Sequence, residues 1–321
     1  MKMQKIFAVS ACLLLLVACG GPALPPTPTP TPTPVPTPTP PPTLPADASV
    51  RYHFVTDTLL IPTTQAQADS FGLNVDSDAQ GRVDNLFGSL LALLVTASPG
   101  LELQPAVDQA VNDGQVVTLH LLQAGDPLNA SSASWSIFLG QPAQSPPRFD
   151  GSDEFVIDPA APTNSTINGS IANGRFSGGP GNARLKLLLL NRPIELNLTG
   201  VRLEANINSQ GCANGKLGGG ISVEEFRAGL FPALADGMTA LAQSGAEGAG
   251  VLLQGFDADR NGTITVLELE NHFLVKVAVT PDLDLLDASG AFNPGQDGVK
   301  DSLSIGLGFT CILANFTAPG D

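Results

Sequence analysis

The feature that most constrains the fold is a long alternation of apolar and polar residues over positions 194–208. A period of two places every second side chain on one face of a β-strand. The apolar positions are Ile194, Leu196, Leu198, Val201, Leu203, Ala205 and Ile207. The parity slips once, at Thr199-Gly200, and a β-bulge at Gly200 would return both apolar sets to one face. This stretch therefore predicts a long antiparallel strand with one buried face.

Further strands are predicted on both sides of this one. Segments with alternating or β-rich composition are 50–55, 116–123, 134–139, 154–157, 166–172, 175–177, 185–191, 275–280 and 303–313. Asn173-Gly174 is a two-residue hairpin signal, because both residues tolerate positive φ. Short strands joined by such turns favour an antiparallel sheet.

Helical signals interrupt the strands. Ser222 and Glu225 form a capping-box pattern that opens a helix over 223–243, and a further helix is predicted over 266–274. An apolar stripe with helical spacing follows Asp84. We therefore predict an α+β fold for one globular domain, 47–321. It would have an antiparallel β-sheet core, flanking helices at both ends, and an EF-hand-like helix-loop-helix insertion.

The net charge restricts the partners of the chain. The formal charge is −15, and it becomes more negative when residues 1–18, with Lys2 and Lys5, are removed. Such a field repels nucleic acid and attracts cations. We therefore expect no nucleic-acid partner.

The N-terminal region indicates secretion and a membrane anchor. In residues 1–18, Lys2 and Lys5 precede an apolar run that is too short to span a bilayer as a mature helix. The sequence Leu16-Val17-Ala18-Cys19 resembles the bacterial lipobox. That resemblance implies cleavage before Cys19 and lipid modification of Cys19, so that the membrane becomes a partner. An ordinary signal peptide that is cut nearby is the alternative.

Residues 19–46 comprise Cys19 and a Pro/Thr-rich stalk, in which the Thr-Pro repeat spans 22–45. Prolines prevent both helix and sheet there, so polyproline II of about 3.1 Å per residue is expected, on the order of 70 Å in all. The lipobox resemblance implies that an inner-membrane retention signal in Gram-negative relatives would be an Asp after the cysteine, and this chain has Gly20 there. We therefore expect a stalk that displays the domain from a bacterial envelope, on the outer membrane or the outer cell surface.

The segment 257–268 offers oxygen atoms at a distinctive spacing. Asp257, Asp259 and Asn261 alternate, and Gly262 permits a sharp reversal of the chain. A hard cation such as Ca²⁺ prefers six to eight oxygen ligands in a flexible cage. The predicted ligands are Asp257, Asp259, Asn261, the Thr263 carbonyl, Thr265 through a water, and Glu268 with both oxygens. An acidic surface turn is the alternative.

These twelve residues resemble the EF-hand family at every position of its loop pattern. Ile264 takes the eighth position, where an apolar side chain points inward and the backbone can pair with a partner loop. The resemblance implies Ca²⁺ as the cofactor. With three carboxylates in an exposed setting, we expect weak affinity, roughly 10⁻⁵ to 10⁻³ M.

A second acidic segment lies at 76–84. Its candidate ligands are Asp76, Asp78, Gln80, Arg82 and Asp84, and the spacing resembles the calcium loops of dockerins and thrombospondin type 3 repeats. Phe87 stands where a closing carboxylate would be needed, so an Asp-rich turn in which Asp84 caps the next helix is the alternative. A Gly-x-x-Asp pattern recurs at 298–302, near Asp282 and Asp284.

Two cysteines remain beyond Cys19. Cys212 and Cys311 would lie in an oxidising compartment, which favours a disulfide over two buried thiols. A bridge across such a long loop would contribute on the order of 4–5 kcal/mol through the unfolded state.

Catalytic motifs are scarce. The histidines are His53, His120 and His272, and neither a serine elbow nor a phosphate loop nor a zinc spacing is present. We therefore predict a surface-anchored calcium-binding lipoprotein that serves as a structural or interaction module for an unknown protein or polymer. A hydrolase acting on an extracellular polymer is the alternative, and it requires a cleft with perturbed carboxylates.

Overall fold

The computed structural model describes residues 50–78, 80–97, 102–162, 165–245 and 250–321. The predicted signal segment 1–18, Cys19 and the stalk to residue 46 lie outside these residues.

The described residues form one antiparallel sheet in the order β2-β1-β9-β8-β7-β6-β5-β3-β4. The strands are β1 Val50–Leu60, β2 Thr118–Ala124, β3 Ala130–Pro142, β4 Phe155–Ile157, β5 Thr166–Ala172, β6 Arg175–Leu189, β7 Arg192–Asn208, β8 Gly211–Ser222 and β9 Ser302–Leu313. Strand β2 pairs with β3 as well as with β1. This extra pairing closes eight strands on themselves, so the sheet has an inner and an outer face.

The predicted bulge in β7 is confirmed. Gly200 has φ +67°, and the register between β7 and β8 shifts between Thr199 and Arg202. All seven apolar residues of the alternation are buried. The positive φ of Gly200 lets the strand absorb the extra residue and keep both apolar sets on the inner face.

The interior of the closed sheet is an aromatic core. The fully buried Trp135 lies 5.2 Å from Phe176 and 6.2 Å from Phe54 between ring centres. Trp135 Nε1 donates to His120 Nδ1 at 3.0 Å, so His120 Nε2 carries the proton and donates to Thr56 Oγ1 at 2.8 Å. Burial lowers the pKa of His120 to about 3. The histidine is therefore a neutral core residue.

Helices pack against strands β1, β6, β7 and β9 of this closed sheet. They are α1 Gln65–Phe71, α2 Leu86–Ala97, α3 Leu103–Asn112, α4 Val223–Glu225, α5 Phe231–Gln243, α6 Gly250–Phe256, α7 Val266–Asn271 and α8 Phe273–Ala278, with a π-helical turn Phe226–Leu230 between α4 and α5. Ser222 Oγ accepts from Glu225 N at 3.2 Å, which is one half of the predicted capping box, whereas Glu225 Oε1 accepts from Asn197 N at 2.6 Å. The rings of Phe87, Phe226 and Phe231 join α2 to the start of α5.

The predicted α+β class with an EF-hand-like insertion is wrong. One large antiparallel sheet dominates a β-rich fold, and α6 and α7 have only seven and six residues. The predicted strands 175–177 and 185–191 belong to a single strand, β6, because pairing with β7 continues across the glycine-rich residues between them through a register shift. Helices α6 and α7 are too short to form the pair of packed helices that an EF-hand-like insertion would require.

The predicted strand 275–280 is also wrong. Its residues lie largely in α8, where Lys276 N donates to the carbonyl of His272 and Val279 N to that of Val275. The β-branched residues favour a strand only where a neighbouring strand supplies hydrogen bonds. Here the local helical bonds satisfy the backbone instead.

Candidate metal centre

The candidate metal loop comprises residues 257–268, between α6 and the first turn of α7. Phe256 ends α6 and His272 follows α7, and their rings lie 4.2 Å apart between centres. This contact closes the neck of the loop. Within it, Arg260 has φ +61° and Gly262 has φ +85°. A Cβ at Gly262 would meet nothing within 4 Å, so glycine is required there by the backbone angle rather than by space.

Three carboxylates converge inside the loop. One oxygen from each of Asp257, Asp259 and Glu268 lies within 4.8 Å of the other two. Asp257 is 7% exposed, whereas Asp259 is exposed and Glu268 is half-buried. In the part of the chain that the structure describes, no lysine or arginine pairs with any of them. The cluster thus concentrates negative charge without a cation from the protein.

Backbone N–H groups of the loop hold the carboxylates in place. Asp257 Oδ1 accepts from Asn261 N at 3.1 Å, and Oδ2 accepts from Gly262 N at 2.8 Å. Asp259 Oδ1 accepts from Asn261 N at 3.0 Å, and Asn261 Oδ1 accepts from Thr263 N at 2.8 Å. Hydrogen bonds from the loop's own backbone therefore fix the orientation of these side-chain oxygens.

Glu268 bridges the two ends of the loop. Its Oε1 accepts from Ala258 N at 2.8 Å, and its Oε2 accepts from Thr265 N at 2.9 Å. The hydrogen bonds from the Thr265 backbone and hydroxyl hold the pKa of Glu268 below its ordinary value. Thr265 and Glu268 form a capping box at the start of α7. The spacing Thr-x-x-Glu signals this cap in the sequence, which our sequence analysis missed.

Contacts from α5 to the loop were also missed. Thr239 and Gln243 bond to the loop backbone, and Thr239 precedes its partner Ile264 by 25 residues. No local pattern in the sequence could have identified residues so far from the acidic motif.

The second acidic segment has a different arrangement. Asp76 Oδ1 accepts from Asp78 N, Asp78 Oδ1 accepts from Arg82 N, and Asp84 Oδ2 accepts from Val75 N. Arg82 Nε lies 3.8 Å from Asp78 Oδ2. Among the described residues, the carboxylates of the metal loop form the one set of three potential metal ligands whose atoms all lie within 4.8 Å of one another. The acidic residues of 76–84 do not form such a set. Gln80 is exposed.

Asp84 lies near Asp282, which belongs to the loop that precedes β9, over the outer face of the sheet. Burial raises the pKa of Asp84 to about 6, and the nearby carboxylates of Asp76 and Asp282 add to the rise. Burial also raises the pKa of Asp282, which accepts hydrogen bonds from Ser304. The aspartates that end the two Gly-x-x-Asp patterns make equivalent hydrogen bonds. Asp301 Oδ2 accepts from Leu285 N, and Asp84 Oδ2 accepts from Val75 N.

A disulfide links Cys212 to Cys311. The two residues are paired across β8 and β9, with Cα atoms 4.9 Å apart, and both are buried. Cys19 lies outside the described residues.

Two clefts open near the β6–β7 hairpin. The larger, about 580 Å³, lies between α3 and α5 and is lined by Glu102, Leu103, Pro105, Ala106, Gln109, Leu190, Asn191, Arg192, Gly237, Ala240, Leu241 and Ser244. The second, about 530 Å³, includes Gln115, Gln141, Ser145 and Lys186. A small space of about 20 Å³ lies beside His120 inside the closed sheet. Neither Asp84 nor Asp282 lines any of these spaces.

The comparisons with known proteins add no relative. No protein-family model, curated protein or solved structure matches this chain. No helix among the described residues is both long and apolar enough to cross a membrane.

Proposed function

We propose that the metal loop binds one Ca²⁺, with Asp257, Asp259, Asn261, Thr263, Thr265 and Glu268 as its ligands. The observation that carries the proposal is the convergence of three carboxylates within 4.8 Å. Two carboxylates at that distance repel by about 1 kcal/mol even in water. A bound cation reverses this repulsion, and an all-oxygen donor set suits a hard ion.

Calcium acts in this proposal as a clamp on the fold. At an ion concentration about 100 times the Kd, binding adds about 2.7 kcal/mol to the free energy of unfolding. External calcium near 1 mM would provide that ratio for a Kd of about 10⁻⁵ M. Asp257 and Glu268 stand at opposite ends of the loop, so the ion would join α6 to α7.

Calorimetric titration of the purified protein tests this proposal. The parent should bind one Ca²⁺ per chain, and the Asp257→Ala, Glu268→Gln double variant should bind none. Asp236→Asn is the control, because it removes a charge from the exposed side of α5 outside the loop. Equal binding by the parent and the double variant would refute the assignment.

The larger role that we propose is an interaction module on a bacterial surface. The closed sheet holds an aromatic core with about 20 Å³ free beside His120, and the carboxyls with raised pKa values lie away from these two clefts. Open clefts with amide and hydroxyl groups suit a protein or polymer partner better than they suit hydrolysis. Binding of labelled envelope polysaccharide to the parent, weakened by Arg192→Ala, would support this role.

The anchor belongs to the same proposal. Lipid modification of Cys19 would hold the stalk and the domain on the outer side of the envelope. Mass spectrometry of the membrane fraction should find acyl chains on Cys19, and Cys19→Ala should release the protein into the soluble fraction. Recovery of the unmodified parent from the soluble fraction would contradict the anchor.

A further inference from the structure

Ile264 is the point at which the metal loop joins the rest of the protein. Its side chain is 2% exposed, and its N–H donates to Thr239 Oγ1 at 2.8 Å. The Thr239 hydroxyl donates in turn to the Ile264 carbonyl oxygen at 3.3 Å. One hydroxyl on α5 therefore satisfies both backbone groups of this buried residue.

Gln243 makes a second contact from the same face of α5. Residues four apart are neighbours on a helix surface, and Gln243 Nε2 donates to the Gly262 carbonyl oxygen at 2.7 Å. The two contacts are made at Gly262 and Ile264. Between them lies Thr263, whose carbonyl is the backbone ligand of the proposed site. Helix α5 thus holds the peptide groups on both sides of that ligand.

Such anchoring changes the free energy of ion binding. A loop that is free before binding must lose conformational entropy when it closes around an ion, and this loss weakens the affinity. Loop residues that are already held by hydrogen bonds lose less. The contacts from α5 should therefore raise the affinity without adding a ligand.

We propose that Thr239 is a positioning residue of the metal centre and that α5 takes the place of a partner loop. This inference rests on the proposed binding of calcium by residues 257–268. Coupling between two sites is reciprocal, so an ion that binds more tightly because of Thr239 also stabilises the packing of α5.

The opposite side of α5 gives this coupling a consequence. Residues 237, 240, 241 and 244 recur at helical spacing and line the α3–α5 cleft. Leu190 packs against Gly237 from the β6–β7 turn, where Leu190 itself has φ +51°. A Cβ at Gly237 would lie 2.6 Å from Leu190 Cβ. Calcium binding thus orders the helix that forms one wall of the cleft.

The test compares Thr239→Val, Thr239→Ser and the parent by calcium titration. Valine keeps the shape and β-branching of threonine and removes the hydroxyl, whereas serine keeps the hydroxyl. We expect Thr239→Val to raise the calcium Kd by about 10-fold, which corresponds to about 1.4 kcal/mol. Thr239→Ser should stay within about 3-fold of the parent.

Hydrogen exchange of α5 supplies a readout that a purely structural role would not move. Calcium should slow the exchange of residues 231–243 in the parent and in Thr239→Ser, and have little effect in Thr239→Val. Thr96→Val is the matched control, because the Thr96 hydroxyl donates to the Ala92 carbonyl oxygen within α2, and among the described residues it makes no bond to α5 or the metal loop. Gln243→Ala changes an exposed side chain, and its Kd should rise about 3-fold even if Thr239→Val fails to fold.

The outcomes separate the two proposals. A parent that binds no calcium refutes the proposed function and this inference together. A parent that binds calcium with the same Kd as Thr239→Val and Gln243→Ala refutes the role of α5 alone.

Discussion

The metal loop and the Asp84 loop, residues 76–78 and 80–84, have similar acidic patterns and reach opposite arrangements. Each alternates acidic residues and has a glycine with positive φ at the sixth position, Gly262 or Gly81. At the twelfth position the metal loop has Glu268, which reaches back to Ala258 N. The twelfth position counted from Asp76 is Phe87, which lies in α2, is 2% exposed and belongs to the core. The third carboxylate of the metal loop thus has no counterpart at the end of the second pattern.

The neighbouring Asn residues differ in the same way. Asn85 is buried and makes four hydrogen bonds to backbone groups, among them both backbone groups of Gly306 in β9. Asn261 is exposed and bonds within its own loop. The Asp84 loop is therefore attached to the sheet, whereas the metal loop is organised around its own carboxylates.

The largest expected effect comes from Asn85→Ala. The change leaves several buried N–H and C=O groups unpaired, each of which costs about 1–3 kcal/mol. We expect a loss of about 3 kcal/mol of unfolding free energy in urea denaturation. The matched Asn261→Ala change in calcium-free buffer should cost less than about 1 kcal/mol. Equal losses would contradict the contrast between the two loops.

Calcium should act on one loop only. Adding calcium to about 100 times the Kd should raise the unfolding free energy of the parent by about 2.7 kcal/mol, and chelator should reverse the rise. Asp257→Asn should abolish the response, while Asp78→Asn should leave it intact. Thermal melts with calcium and with chelator measure both variants. Loss of the calcium response in Asp78→Asn would contradict this prediction and place the ion in the Asp84 loop.

The two loops should respond to pH with opposite signs. Folding raises the pKa of Asp84 from 3.8 to about 6, so its contribution to stability is greatest at low pH and falls as the pH rises from about 4 to above 6. Asp84→Asn should stabilise the protein at pH 7.5 by about 1 kcal/mol, after a discount for solvent screening. Urea denaturation across this range measures the effect.

Glu268 supplies the opposite slope in calcium-free protein. Its pKa is lowered on folding, so its contribution is present above the pKa of the unfolded chain and is lost as the pH falls through the folded value. Glu268→Gln should therefore flatten the acid limb of the stability curve. A variant that keeps the parent's acid limb would exclude Glu268 as its source.

The smallest effect should come from the two glycines. Gly81→Ala and Gly262→Ala each place a Cβ at positive φ, where an L-residue loses about 1 kcal/mol. In calcium-free buffer the two variants should be equally destabilised. With calcium, only Gly262→Ala should show an additional loss, measured as a weaker Kd by calorimetry.

Local sequence patterns were sufficient to predict a segment whose apolar residues follow a single period throughout. The alternation over 194–208 predicted β7, its bulge at Gly200 and its buried face, since a period of two with one slip has one solution that buries every apolar residue. The Ser222 cap could also be predicted, because it depends on two residues that are only three positions apart. By contrast, the valines after His272 suggested a strand, because the sequence does not show whether a neighbouring strand is available.

The sequence by itself determined the alternating faces of the strands, the turn residues and the residue types of the metal loop, because all of these depend on neighbours within a few positions. The tertiary structure alone decided the closure of the sheet through β2 and β3, the convergence of three carboxylates and the contact of Thr239 with Ile264. These features join residues that are distant in the chain. Their free energy comes from packing and hydrogen bonds that exist only after the chain has folded.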